Sequence, residues 1–184
     1  MVDKKAKDFD LFKQKYKENC VTQSSNPAIL ELYSFILKNE VIDSDVWDAG
    51  SGNDTVVRIL EQYFTEEDWK ELQIELENWT TNQLEIFTEC ILEGSIESDT
   101  TIMNRFYLLK KLLSIGDKRD RLRNDIFLKL IDNIEFLNKC KSISFEEATE
   151  IAEYFNYSER IKDEKYKEDI TTITLKAMME KSVG

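Results

Sequence analysis

The stretch TEEDWKELQIELENWTTNQLEIFTECILEG, residues 65–94, decides the fold class because it predicts two helices joined by a short turn. Thr65 and Asp68 resemble a capping box at the start of the first helix, with Asp in place of the usual Glu. Gly94 is expected to end the second helix in a left-handed conformation. Apolar residues then recur at helical spacing, namely Trp69, Leu72 and Leu76 in the first helix and Leu84, Phe87 and Ile91 in the second.

The same pattern continues in both directions and predicts eight or nine helices in all. The single proline and five glycines stand at the expected ends of helices rather than inside them. Segments with strand-like alternation are scarce. The other predicted elements are a helix at residues 3–19, one beginning near Pro27, one capped by Asp54, a second hairpin at 99–139 with Asp99 as its cap and a helix end at Gly116, a helix opened by a Ser144–Glu147 capping box, and a last helix at 159–181.

These elements predict one all-α domain spanning residues 1–184. Consecutive antiparallel helices with short links favour stacked hairpins, arranged either as an irregular HEAT-like array or as a helical bundle. The sequence leaves both arrangements open, because no exact internal repeat is visible. A repeat period of about 40 residues would favour the array.

Hydropathy predicts a cytoplasmic protein without a membrane partner. No apolar run approaches the roughly 18 to 20 residues that a transmembrane helix needs, and the opening MVDKKAKDFD lacks the apolar centre of a secretory signal. The three cysteines are Cys20, Cys90 and Cys140. Their odd number and wide spacing argue against a disulfide framework, and we expect them to pack as small hydrophobes.

Charge is distributed very unevenly along the chain, whose formal net charge is −12. Residues 41–100 carry sixteen Asp or Glu and only two bases, Arg58 and Lys70, whereas the segments on either side each balance at +1. This segregation has two interpretations: a solvated face that maintains solubility, or a docking surface for a basic protein. It argues against nucleic acid as a partner, since phosphate binding requires a patch of Lys or Arg.

The amino-acid composition argues against most kinds of enzyme. The chain has no histidine, so it has no His-based triad, no imidazole base and no His metal site. The loop DSDVWDAGSGND offers Asp43, Asp45, Asp48 and Asp54 as carboxylate ligands, but it lacks the spacing and the closing Glu of an EF-hand. We therefore predict a non-enzymatic protein with no catalytic residue, no metal site and no cofactor, and a carboxylate-bound metal enzyme is the lowest-ranked alternative.

The candidate partner-binding residues come from the acidic third of the chain. Trp47 differs from the other tryptophans because it lies in the acidic connector, where it either anchors the loop to the core or projects as an interface hot spot. Trp69 and Trp79 are expected to pack between helices. In the helix after the connector, Val56, Leu60 and either Tyr63 or Phe64 are expected to face inward. The predicted binding residues are Asp43, Asp45, Trp47, Asp48, Glu66, Glu67, Asp68, Glu71, Glu75, Glu85 and Glu89.

The segment FTEEDWKELQIELENWTTNQLEIFTECILEGS, in a strongly acidic all-helical chain, resembles bacterial immunity proteins of polymorphic-toxin and contact-dependent inhibition systems. The resemblance covers residues 54–155 and lies in composition and hairpin organisation. It implies a helical, HEAT-like fold and a protein that neutralises a cognate toxin, frequently a basic nuclease, by covering an essential surface. It transfers no site residue. The alternative function is an α-helical scaffold or adaptor that holds a peptide between helix pairs.

Overall fold

The computed structural model describes residues 4–40, 52–94 and 101–140, together with Trp47, Glu147 and Ile151. All regular structure in these ranges is helical, which confirms the predicted all-α class. The helix predicted at 144–155 is described only at Glu147 and Ile151, and the helix predicted at 159–181 lies outside the described residues. The helices are α1 Lys4–Tyr16, α2 Pro27–Asn39, α3 Gly52–Tyr63, α4 Glu66–Glu75, α5 Thr81–Glu93, α6 Ile102–Gly116, α7 Asp120–Asp132 and the short α8 Ile134–Lys139, with 3-10 turns at Lys17–Asn19 and Leu76–Asn78.

Helices α2 to α7 form two layers, one of α3, α5 and α7 and the other of α2, α4 and α6. Within a layer, each helix contacts the helix that lies two elements further along the chain. Helices α3, α5 and α7 lie side by side, and α4 contacts both α2 and α6. The layers are joined by contacts of α2 with α3 and α5, and of α6 with α5 and α7. The two helices of residues 65–94 are joined by a short link as predicted, and α5 packs most extensively against α3 and α7.

Several long-range hydrogen bonds join residues that are about 40 positions apart in the chain. Glu93 shows this most clearly: its carboxylate accepts 3.4 Å hydrogen bonds from Asn53, 40 positions before it, and from Asn133, 40 positions after it. Arg119 donates across the same separation of 40 to the carbonyl of Trp79. The chain thus has a structural period that its residue types do not repeat.

The helix starts follow the local capping signals. Thr65 and Asp68 form the predicted reciprocal capping box at α4. Asn26 caps α2 by accepting a 2.9 Å hydrogen bond from the backbone N–H of Ala28, with Pro27 at the first helical position. A second capping box, Thr80 with Gln83, starts α5 and was not among the sequence expectations, although TTNQ fits the pattern.

Two of the expected helix ends are wrong. Asp54 lies inside the first turn of α3 rather than at its cap, because the helix already begins at Gly52. Gly94 has φ −55° and is not left-handed. Its lack of a side chain is required by packing instead, since a Cβ atom there would lie 2.3 Å from Cγ2 of Val57. The predicted cap Asp99 lies outside the described residues.

The core runs between the layers and contains the expected apolar stripes. Trp79 packs between Tyr33 and Phe87, with ring centroids 4.8 and 5.4 Å away, and it meets Phe87 edge to face. Trp69 is also buried, and Phe64 packs against it at 5.4 Å. Phe64 therefore takes the inward position, and Tyr63 is exposed. None of the described helices combines the length and apolar character required of a transmembrane span.

Arg105 is an unexpected charged residue in this core, with 0% of its surface exposed. Its guanidinium donates hydrogen bonds to the carbonyls of Ile91 and Gly94 at the C-terminal end of α5, where unsatisfied carbonyls carry negative partial charge. Burial lowers the pKa of Arg105 to about 10, so the group remains protonated at neutral pH. The residue ties α6 to the end of α5.

Candidate protein-binding surface

The first turn of α4 carries three consecutive acids that have two different roles. Asp68 is the third helical residue of the capping box, and its carboxylate accepts a 2.7 Å hydrogen bond from the backbone N–H of Thr65. Glu66 and Glu67 are exposed. Carboxylates are favoured in this position because they face the positive end of the helix dipole. The local fold therefore directs Glu66 and Glu67 into solvent.

Helix α4 also binds the chain's own connector, residues 20–26, through the side chains of Asp68 and Glu71. Glu71 accepts a 2.5 Å hydrogen bond from the Ser24 hydroxyl. Asn26 donates to both Asp68, at 2.5 Å, and Glu71, at 3.1 Å. Hence Asp68 and Glu71, which the sequence nominated for partner binding, already hold the connector against α4.

Glu75 also binds this connector and is buried, with 5% exposure. Its carboxylate accepts hydrogen bonds from the Thr22 hydroxyl, the backbone N–H of Gln23 and the side-chain amide of Asn78, at 2.5, 2.7 and 3.1 Å. A buried carboxylate is tolerated where several donors replace its hydration shell. Glu75 is therefore inaccessible to a partner in this conformation.

Glu85 and Glu89, the nominated residues on α5, face α7 and are paired with bases. Glu85 forms a 2.7 Å ion pair with Arg121, and Glu89 pairs with Lys129. Glu77 pairs in the same way with Lys111 on α6. Carboxylates of the acidic third are thus compensated by bases that follow them by 34 to 40 positions. The negative charge that is concentrated in residues 41–100 of the sequence is therefore partly balanced in the fold by bases from residues 101–140.

Asp125 adds a third carboxylate to the interface between α5 and α7. Its nearest base, Lys129, is 3.9 Å away, and its Oδ2 atom accepts no hydrogen bond. Burial, with the nearby negative charges of Glu85 and Glu89, raises the pKa of Asp125 to about 6, against the opposing effect of Lys129. The described interface between α5 and α7 thus brings three carboxylates, those of Glu85, Glu89 and Asp125, close to two bases, Arg121 and Lys129.

Trp47 lies in the core rather than on the surface, with 6% exposure. Its indole N–H donates a 2.9 Å hydrogen bond to the side chain of Asn53, and a Cβ atom on Gly52 would lie 2.1 Å from the ring. Of the two roles that the sequence left open, the structure shows the anchoring one. Asp43, Asp45 and Asp48 lie outside the described residues, so their roles stay predictions.

Three of the exposed acids that have no ionic partner among the described residues lie on α2 and α4, beside α3. We call Glu31, Glu66 and Glu67 the acidic edge. All three are exposed, and no Lys or Arg in the described ranges forms an ion pair with them. Tyr63, with 63% exposure, shares a groove with Glu31 and precedes Glu66 by three residues. The edge therefore combines negative charge with an exposed aromatic ring.

Two depressions adjoin this edge. A groove of about 620 Å³ runs between α2 and α3, and Glu31, Phe35, Ile59 and Tyr63 are among its lining residues. A second depression, of about 430 Å³, is polar and is lined in part by Ser25, Asp68 and Glu71. Residues 27 and 28 line both, so the two depressions meet at the first turn of α2. The position of this groove was not predictable from the sequence, because Phe35 and Ile59 look like ordinary core residues in a helical stripe.

The structure offers no metal centre in the residues it describes, where no group of three or more Cys, Asp or Glu side chains has a suitable arrangement. The three cysteines are free thiols, as expected, and Cys90 and Cys140 are buried. Burial raises the pKa of both buried thiols, which disfavours the nucleophilic thiolate.

Comparisons of the chain with protein-family models, curated proteins and solved structures give no match. Fold, charge and surface geometry of the chain itself therefore carry the functional argument.

Proposed function

We propose that this chain is a non-enzymatic binding protein that neutralises a basic protein toxin by direct contact, in the manner of bacterial immunity proteins. The observation that carries this proposal is the acidic edge. Its three carboxylates remain exposed and without ionic partners among the described residues, whereas the acids of α5 are paired with α7. A net charge of −12 adds a long-range attraction for a cationic partner.

The architecture is compatible with this role. Helix pairs in successive register, as in a HEAT-like array, present broad surfaces at the edges of their layers. Exposed carboxylates around an aromatic ring provide fast, sign-selective association together with one contact of high binding energy. Among the residues nominated from sequence, Glu66 and Glu67 are the ones that we assign to first contact. Glu75, Glu85 and Glu89 have structural roles within the chain.

The proposal is tested with the C-terminal domain of a large secreted protein encoded beside this gene, if that domain arrests growth. Co-expression of this chain should restore growth, and the purified proteins should bind with an affinity that falls steeply as salt is raised. Replacing Glu31, Glu66 and Glu67 together by Lys should weaken binding by about tenfold or more and flatten the salt dependence.

A matched variant controls for total charge. Asp10, Asp117 and Asp132 are also exposed acids, on α1, after α6 and at the end of α7. Their joint replacement by Lys changes net charge equally, and we expect it to reduce the association rate far less. Equal effects of the two variants would show that only total charge matters, and would reject the acidic edge as the docking surface. Failure of the domain to bind at any salt concentration would reject the function.

The groove between α2 and α3 favours a second candidate function, an adaptor that holds a peptide between helix pairs. The two functions differ in what suffices for binding. An adaptor should bind an isolated, unfolded peptide as tightly as the protein from which it comes, whereas a toxin inhibitor should require the folded toxin domain.

A further inference from the structure

The strongest unassigned feature is the continuity of the apolar groove with the polar depression. From residue 28 to Phe35, α2 advances seven residues, or about 10 Å. Over that distance the surface changes from carboxylates, Asp68 and Glu71, to an apolar lining that includes Phe35 and Ile59. One occupant can therefore meet both chemistries at once.

The charges along the groove define a direction. Its acidic end lies at the first turn of α2, with Glu31 one turn further along. At the other end Lys38 lies over the Phe35 ring, with its Nζ atom 4.3 Å from the centroid. Arg58 also lines the groove, from α3. A cation of the occupant is attracted to the first end and repelled from the second.

The carboxylate of Glu71 is positioned to receive such a cation. It accepts hydrogen bonds from Ser24 and Asn26, which are neutral donors and leave its charge uncompensated. Those bonds also hold the carboxylate in place, so little side-chain entropy is lost when a partner binds. The depression beside it, about 430 Å³, has room for the end of a Lys or Arg side chain.

We infer that this groove is the docking site for one segment of the basic partner, with a Lys or Arg side chain in the acidic depression and an aromatic or aliphatic side chain against Phe35, Ile59 and Tyr63. The inference rests on the proposed function and deepens it by naming the recognised chemistry. The roughly 10 Å between the two subsites equals about three residues of extended chain, which sets the spacing of the two side chains.

A defined probe tests the two-part site without the partner. The probe is the peptide acetyl-Lys-Ala-Ala-Phe-amide, titrated into the ¹⁵N-labelled full chain, with acetyl-Glu-Ala-Ala-Phe-amide as the charge control. We expect saturable shifts of the backbone amide signals of Ala28, Phe35, Tyr63 and Glu71 with the lysine peptide, and affinity weaker by about tenfold with the glutamate peptide. Equal affinities, or shifts confined to other residues, would overturn the inference.

Variants connect the groove to the partner. Tyr63→Ala removes an exposed ring and should weaken binding of the toxin domain by about tenfold or more, as expected for an aromatic hot spot. Tyr107→Ala, at a tyrosine of α6 with 41% exposure, is the matched control and should have little effect. Glu71→Gln keeps an oxygen acceptor for Ser24 and should weaken the lysine peptide selectively.

The outcomes separate the two proposals. If reversal of the acidic edge weakens binding of the toxin domain while Tyr63→Ala does not, the groove inference is wrong and the proposed function stands. If the lysine peptide occupies the groove but no toxin domain binds, the proposed function is wrong, and with it the assignment of the occupant.

Discussion

The hydroxyl of Thr22 donates a 2.5 Å hydrogen bond to the Glu75 carboxylate, although the two residues are 53 positions apart in the chain. Together with the bond from the backbone N–H of Gln23, it fixes the connector between α1 and α2 to the face of α4. One carboxylate thereby replaces the hydrogen bonds that the connector would otherwise make to water.

Replacing Glu75 by Ala should lower the free energy of unfolding by about 2–3 kcal/mol, because Thr22 and Gln23 lose a buried acceptor. Glu67→Ala, on the exposed face of the same helix, should change it by no more than about 0.5 kcal/mol. Urea denaturation of both variants measures the difference. Equal losses of stability would show that the connector does not depend on Glu75.

Asp125 should give the protein a distinct pH dependence. Its pKa is raised from 3.8 to about 6 in the folded state, mainly by burial, so the folded chain binds the proton more tightly than the unfolded chain does. The contribution of Asp125 to stability is therefore fully present below about pH 4 and is lost as the pH rises through about 6.

Replacing Asp125 by Asn should remove this dependence. The free energy of unfolding of the variant relative to the native protein should rise between pH 4 and 6, by roughly 1–2 kcal/mol. Asp120→Asn is the matched control on the same helix, where the side chain is 87% exposed. Urea denaturation across this pH range should show no comparable rise for Asp120→Asn. A flat difference for Asp125→Asn would contradict the burial argument.

Arg105→Ala should be among the most destabilising single substitutions. It leaves the carbonyls of Ile91 and Gly94 without a donor and opens a cavity in the core, together about 3–5 kcal/mol. Arg58→Ala provides the comparison, because that side chain is exposed and its hydrogen bond to the Thr55 hydroxyl lies at the surface, so the change should cost no more than about 0.5 kcal/mol. Thermal unfolding of the two variants measures the contrast, and similar midpoints would refute it.

Gly52 and Trp47 should be coupled in stability. A Cβ atom at position 52 would lie 2.1 Å from the indole ring, so Gly52→Ala should destabilise the protein by about 1–3 kcal/mol. In the Trp47→Ala background the same change should be neutral or stabilising, because the ring is gone and Ala favours a helix. A double-mutant cycle measures the coupling, and additive effects would show that the ring does not require this glycine.

Some local structure was predictable from signals within one turn of helix, although such signals were misleading at Asp54 and Gly94. The capping box of Thr65 with Asp68 and the start of α2 at Pro27 were both correct, since each depends on residues at most three positions apart. The apolar spacing of residues 122–137 predicts one uninterrupted helix. Asn133 instead adopts φ −115° and separates α7 from α8. Nothing in the apolar spacing reports that change.

The surface was much less predictable than the fold. The sequence shows where acids are concentrated but not which bases lie opposite them, and pairs such as Glu89 with Lys129 exist only because α5 and α7 are neighbours. The binding of Glu75 to the connector was predictable in part, because the connector sequence CVTQSSNP is rich in hydroxyl and amide donors. The groove required knowledge of the separation between α2 and α3.

The two asparagines that flank Glu93 at 40 positions on either side fix the register of three helices through one carboxylate. Glu93 lies at the end of α5, Asn53 in the first turn of α3 and Asn133 directly after α7. Gain or loss of one residue within α5 would rotate Glu93 by about 100° about the helix axis and break both contacts. Changes in chain length are therefore expected in the loops that join these helices and not within α5.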